Sequence, residues 1–268
     1  MQKRGLRYWI VSVLFLFCSF SFLDAKAHDW RAAVVMDRSG RIIYAENADK
    51  RLPPASTAKV LTAMVVIDHL PLDKWVRVSR RAASVEPSKA YLGVGRYYRV
   101  KDLVYAMLMA SANDAAVALA EAVAGSEARF IRLMNRKACR CGAKNSNFRT
   151  ASGLPAKGQY TTARDLAKIM RYAVKYGLIT SALSRKVYRF SSRSGKTIKV
   201  VNHNKLLWNK FWNWVKGKTG FTRAAGQCFL GYFHKGHRLY VFSFLGGRTL
   251  WDNIKELVRK TRKETIKK

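Results

Sequence analysis

Strand-like stretches stand near both ends of this chain and a long helical block fills its middle. A sheet built from those strands must therefore join segments far apart in sequence. Ala32-Ala33-Val34-Val35-Met36 and Arg41-Ile42-Ile43-Tyr44 are apolar and rich in β-branched residues, and Asp37-Arg38-Ser39-Gly40 between them predicts a hairpin turn. Toward the other end, Gln227 to Phe233 and Leu239 to Leu245 flank a second expected turn, His234-Lys235-Gly236-His237. Ile198-Lys199-Val200-Val201 and Trp214 to Phe221 read as further extended pieces, and Trp75 to Val100 as mixed. Helical periodicity begins after Pro54 and ends near Leu70-Pro71. It returns from Lys101 to about Cys141, where Leu103, Ala106, Met107 and Ala110 share a face. Gly125 stops a small-residue helix, and Ser126 caps one carrying Phe130, Leu133, Met134 and Ala138 inward. Thr161-Thr162 precede another, marked by Leu166, Ile169 and Ala173. The order predicts an α+β fold: one antiparallel β-sheet flanked by helices, with an inserted all-helical lobe. No internal repeat or low-complexity linker interrupts it.

A basic helix from Arg248 closes the chain, with Trp251, Ile254, Leu257 and Val258 on one side. Such a helix can lie on a membrane, but its apolar stripe is narrow, which favours packing on the sheet.

Charge needs a compartment to explain it. The 268 residues carry a formal net charge of +35. Lys3, Arg4 and Arg7 precede the apolar stretch Tyr8 to Leu23, and Ala25-Lys26-Ala27 places small residues at −3 and −1 of a cleavage site. The stretch is shorter than the ~20 residues a spanning helix needs. Residues 1–27 therefore read as a signal peptide cleaved after Ala27, and residues 28–268 as one exported domain. In an exported protein this charge points away from nucleic acid, and either to anionic envelope polymers as partners or to lysines and arginines that simply solvate the surface. Cys139, Cys141 and Cys228 remain after cleavage, an odd number that excludes a fully paired disulfide framework. Cys228 lies in an apolar run and reads as a buried small hydrophobe.

The chemistry starts at Ser56-Thr57-Ala58-Lys59. Three residues apart on a helix, Ser56 and Lys59 share a face and their side chains can meet. A serine hydroxyl is a weak nucleophile until a base takes its proton, and a lysine serves if burial or a nearby cation lowers its pKa. Ser111-Ala112-Asn113 follows the Lys101 helix, and Lys218-Thr219-Gly220 sits on a predicted strand.

Ser-x-x-Lys, Ser-x-Asn and Lys-Thr-Gly in this order resemble the motif set of penicillin-binding proteins and class A β-lactamases. Asp37 to Tyr44, Pro54 to Thr62, Ser111 to Ala116, Ser152-Gly153-Leu154-Pro155, Tyr160 to Ala167 and Gly217 to Cys228 are similar to the low-molecular-weight penicillin-binding D-alanyl-D-alanine carboxypeptidases. The resemblance spans nearly all of residues 29–250. It implies a β-lactamase/transpeptidase-like fold, peptidoglycan stem peptides as substrate and β-lactam antibiotics as covalent inhibitors. By the same resemblance Ser56 is the nucleophile, Lys59 its general base, and Ser111 the relay of the proton to the leaving amine. Asn113, Lys218, Thr219 and Gly220 bind substrate, and the backbone N–H groups of Ser56 and Phe221 form an oxyanion hole worth about 3–4 kcal/mol per donor. No metal and no cofactor is implied. Residues 28–268 become a single catalytic penicillin-binding domain with a C-terminal basic helix and no second β-domain. Ala58, Ala112 and Gln159 depart from the family's common Thr, Gly and His.

Rival readings turn on single features. A class A β-lactamase needs a carboxylate that activates the deacylating water. Between Asn113 and Lys218 the acids are Asp114, Glu121, Glu127 and Asp165, all expected to be structural. A D,D-endopeptidase that cuts crosslinks would carry the same motifs and differ in the shape of its groove. A non-catalytic wall-binding protein predicts damaged motifs, and all three are intact here. His234 and His237 resemble a metal pair only superficially, since a hairpin turn accounts for both.

Overall fold

The computed structural model describes residues 29–261. The expected signal segment, residues 1–27, lies outside the described residues, as do residue 28 and residues 262–268. β1 (Ala32–Asp37) and β2 (Ile42–Glu46) form the first hairpin. A 3₁₀ turn over Ala55–Ala58 runs into α1 (Lys59–His69). β3 (Trp75–Arg77), α2 (Arg80–Ser84) and β4 (Tyr97–Arg99) occupy the mixed stretch. α3 (Val100–Met109), α4 (Asn113–Ala124) and α5 (Glu127–Arg140) build the helical lobe. α6 (Ala163–Ala173) and α7 (Gly177–Ser184) follow, then a separate hairpin of β5 (Val187–Ser191) and β6 (Thr197–Val201). β7 (Lys216–Thr222), β8 (Gly226–Lys235), β9 (Arg238–Gly247) and α8 (Leu250–Lys260) complete the described chain.

The main sheet has the order β2-β1-β9-β8-β7, antiparallel throughout. Its central pairing joins the two ends of the chain, with Val34 opposite Ser243 and Val35 opposite Phe242. Side chains alternate across the sheet. On one face Val34, Met36, Leu230 and Val241 pack in a core shared with α1 and α6. On the other, Val35, Phe229, Phe242 and Phe244 pack against Ile254, Leu257 and Val258 of α8. Burying those three aliphatic side chains contributes about 1.5–3 kcal/mol each, enough to hold α8 on the sheet. The expected α+β architecture is the one observed.

The caps follow the sequence as well. The Ser126 hydroxyl accepts from Arg129 N–H and the Thr162 hydroxyl from Asp165 N–H, while Gly125 ends α4 in the left-handed conformation. Three local expectations need correction. Ser56 lies on the 3₁₀ turn rather than on the helix proper, because Thr57 ties its N–H and hydroxyl back to the Pro54 carbonyl. The second hairpin is tighter than expected: pairing continues to Lys235 opposite Arg238, so His234 belongs to the strand and only Gly236-His237 turn. β5 was not anticipated; it pairs with β6 from Val187 opposite Val201 to Ser191 opposite Thr197.

Candidate active site

The 3₁₀ turn, the start of α4 and β7 converge on one cleft. α1 begins at Lys59, whose side chain is fully buried, whereas Ser56 one turn earlier is only partly covered. Lys59 Nζ lies 2.8 Å from Ser56 Oγ, 2.7 Å from Asn113 Oδ1 and 2.6 Å from the Ser152 carbonyl oxygen. A neutral amine has two N–H donors and one lone pair. Donating to Asn113 and Ser152 leaves the lone pair on the Ser56 side, where it can receive the hydroxyl proton. Burial first, and then the Lys218 charge, hold Lys59 well below the ordinary lysine range, with Asp114 opposing them.

Asn113 opens α4 at the end of the α3–α4 connection. Its Nδ2 donates to the Glu86 carbonyl at 2.8 Å, and its N–H donates to the Ser88 carbonyl at 2.8 Å. One proton of the side-chain amide is thus spent inside the protein, and the other is left for substrate. Ser111 precedes it at a φ of 61°, a left-handed conformation uncommon for a non-glycine residue. Its hydroxyl has no hydrogen-bond partner among the described residues, and the residue lines the cleft beside Ser56.

β7 is one of the two edge strands of the sheet, opposite β2, and brings the third motif. Lys218 is buried, donates to the Thr219 carbonyl at 2.7 Å, and is pushed down to about 7 by desolvation. Gly220 lies against the turn bearing Ser56: a Cβ at that position would sit 3.1 Å from Ser56 N and 3.3 Å from Thr57 N. The glycine therefore lets the protein's own strand approach the Ser56 amide, where the expectation assigned that space to substrate. Ser56, Ser111, Thr219, Gly220, Phe221 and His203 line a cleft of about 380 Å³.

Sequence reasoning left three contributors without a part. The Ser152 carbonyl, the Glu86 carbonyl and His203 all take part in the arrangement. Partial enclosure first, and then the neighbouring Lys218 charge, depress the His203 imidazole to about 4. Ser152 is held by its neighbours: the Ala151 carbonyl accepts from Thr62 at 2.7 Å, and Ala151 N–H donates to Glu127 at 2.9 Å. Gln159 braces the same loop, accepting from Arg149 and Thr150 N–H and donating to the Leu154 carbonyl at 2.7 Å.

The four intervening acids all point elsewhere. Asp114 accepts from Ala90 and Leu92 N–H, and Asp165 from Asn145 N–H and Ser146. Arg81 pairs with Glu127 at 2.5 Å and reaches Glu121 at 3.7 Å. Among the described residues no group of His, Cys, Asp and Glu is arranged to hold a metal ion.

Comparison with known proteins gives the arrangement a context. Residues 22–246 match the family model described as D-alanyl-D-alanine carboxypeptidase. The chain is 33% identical over 263 residues to the Bacillus subtilis D-alanyl-D-alanine carboxypeptidase DacF, covering 92% of this chain and 67% of that one. It is 35% identical to DacC of Escherichia coli, covering 88% of this chain and 62% of the relative. A D-alanyl-D-alanine endopeptidase of Pseudomonas aeruginosa is 34% identical over 202 residues, covering 74% of this chain and 64% of the relative. Among solved structures, a Mycobacterium tuberculosis D-alanyl-D-alanine carboxypeptidase superposes with a TM-score of 0.81 at 30% identity, over 87% of this chain and 91% of that one. A mutant of the Streptomyces K15 DD-transpeptidase gives 0.81 at 26% identity, over 88% and 97% of the two chains.

Proposed function

Because the chain belongs to the D-alanyl-D-alanine carboxypeptidase family, we propose that it removes the terminal D-alanine from peptidoglycan stem peptides through an acyl-enzyme on Ser56. The observation that carries the reading is the Ser56–Lys59 hydrogen bond at 2.8 Å, made by a lysine whose burial disfavours its protonated form. Ser56 Oγ attacks the carbonyl between the two D-alanines, and Lys59 takes the hydroxyl proton. The tetrahedral oxyanion is met by the N–H groups of Ser56 and Phe221. Collapse breaks the C–N bond, and Ser111 passes the proton from Lys59 to the departing amine. Water then cleaves the ester and restores Ser56.

The outer side of β7, which pairs with no strand of the described residues, supports an extended peptide adding beside it as a further strand. Lys218 and Thr219 then meet the terminal carboxylate, whose charge favours protonated Lys218. β-Lactams acylate the same serine. An endopeptidase acting on crosslinks is the second reading, favoured by the Pseudomonas relative of that name. The sheet that joins both ends of the described chain supports reading residues 28–268 as one catalytic domain. Export from the cytoplasm, through cleavage after Ala27, fits the substrate, and the charge of +35 suits polyanionic surroundings. Among the described residues no helix is long and apolar enough to cross a membrane.

The test is digestion of a stem pentapeptide and of a crosslinked dimer, with released D-alanine measured across pH. The expected product is free D-alanine from the pentapeptide. The rate at low substrate concentration should fall in acid as Lys59 gains a proton, and fall again above about 7 as unliganded Lys218 loses its charge. A substrate with an amidated C-terminus should lose the alkaline limb and keep the acid one. Cleavage of the dimer alone would move the assignment to the endopeptidase.

A further inference from the structure

A second concavity, away from the Ser56 cleft, is lined by cations that the proposed chemistry does not use. It is a groove of about 910 Å³ bounded by α6, α7 and the β8–β9 hairpin. A neighbouring hollow of about 510 Å³ shares Ser184, Tyr232 and His234 with it, so the two run on as one trench. Arg38, Arg171, Lys175 and His234 line the first, and Lys186 and Lys216 the second. No carboxylate lines either part, and none of these six pairs with one among the described residues.

Two observations fit cations that lack a counter-ion, although Lys216 also donates to the Asn213 carbonyl. Arg171 donates from Nη1 to the Ser39 carbonyl, but its buried Nε has no hydrogen-bond partner. Lys216 is held below the ordinary lysine range by burial and by the like charge of Lys186. A protein with 51 basic and 16 acidic residues cannot neutralise every cation. Gathering five lysines and arginines along one recess without an acid still sets up a field that focuses anions there.

We propose that this trench binds an extended phosphate-bearing polymer, threaded from the Arg38 end toward Lys216. The Arg38 fork and the remaining Nη2 of Arg171 suit phosphate oxygens, and the lysines supply point charges along the chain. Hollows of about 910 and 510 Å³ are together too large for one small anion. The trench floor, with the nearly buried Tyr232, is recessed beyond the reach of a flat lipid surface. Nucleic acid fits less well, because bases need open aromatic faces: the Tyr172 ring already lies under Arg171 and Lys175 at 5.9 and 5.2 Å, and the partly exposed Trp214 that lines the second hollow is stacked on Trp212 at 5.8 Å and packed edge-on against Phe233. Only the natural identity of the polymer, an envelope polyanion, rests on the extracytoplasmic reading above.

The experiment measures binding of inorganic polyphosphate to the full chain as salt is raised, using two triple variants of equal charge change. Arg38→Gln/Lys175→Gln/Lys186→Gln alters exposed trench residues, and Arg132→Gln/Arg136→Gln/Arg140→Gln alters exposed positions on α5. The trench variant is expected to bind more than tenfold more weakly, with its salt slope reduced by about two contacts' worth, while the α5 variant changes less than twofold. Equal losses in both would overturn the proposal in favour of diffuse attraction. So would tighter, trench-dependent binding of a single-stranded oligonucleotide, or of anionic vesicles. D-alanine release should be the same in both variants, so failure of the peptidase reading and failure of the trench register in separate assays.

Discussion

Lys59→Met is expected to lower acylation by stem peptide or β-lactam by at least about a thousandfold while leaving the fold intact. The thioether side chain is unbranched and of similar length, so the buried volume stays filled. The loss is of function: Lys59 Nζ is the basic group hydrogen-bonded to Ser56 Oγ, at 2.8 Å. Stability has two opposed terms. Removing a fully buried amine relieves desolvation, while Asn113 Oδ1 and the Ser152 carbonyl each lose a donor, at about 1–3 kcal/mol per unsatisfied group. The expected outcome is a melting temperature within several degrees of the parent and an acylation rate near zero, read by stopped-flow with a chromogenic β-lactam. Acylation within tenfold of the parent would show that another group takes the Ser56 proton.

The second large effect falls on a residue with no reactive atom. Gly153→Ala places a Cβ 1.9 Å from the Ala55 carbonyl oxygen and 2.6 Å from its carbon, at a φ of 81°. Both neighbours are backbone, so no side chain can swing aside. Nor can the loop retreat: Lys59, Thr62, Glu127 and Gln159 all hold residues 149–154. The variant must separate the Ser152 loop from the turn carrying Ser56, or unfold. A loss above about 3 kcal/mol in denaturant unfolding, with acylation lowered in whatever remains folded, is expected. Gly177→Ala is the matched control, since a Cβ there meets nothing within 4 Å and its φ is ordinary. It should unfold at the same denaturant concentration as the parent or slightly above it. Parent-like stability in Gly153→Ala would mean that the contact between this loop and the Ser56 turn is not needed.

Much of this was legible in the chain because the chemistry sits in short local patterns. Ser56 and Lys59 meet through helical spacing, and Ser111, Asn113 and Lys218 announce themselves by neighbouring residue types. The fate of α8 was readable from the stripe of Ile254, Leu257 and Val258, which packs on the sheet as expected. What escaped depends on backbone atoms and long-range approach. A carbonyl carries no residue identity, so nothing in the letters marks Ser152 or Glu86 as acceptors for Lys59 and Asn113. Gly153 was visible as part of a family-like stretch, but its reason, the Ala55 carbonyl pressed against it, lies 98 positions earlier. Gly220 was assigned to substrate access, whereas the space it leaves is taken by the Ser56 turn. β5 escaped because its inner face is marked by only two residues, Tyr188 and Phe190, in a five-residue stretch that pairs only with its neighbour β6.

The most direct test of the central claim is intact-protein mass spectrometry of the purified protein, and of Ser56→Ala, after incubation with a penicillin. Acylation adds the whole β-lactam, because ring opening expels no leaving group. The account predicts a mass increase of one penicillin on the parent, localised by digestion to the peptide containing Ser56, and none on Ser56→Ala. A folded parent that gains no mass and turns over no penicillin, or a Ser56→Ala chain that still carries the adduct, would contradict it.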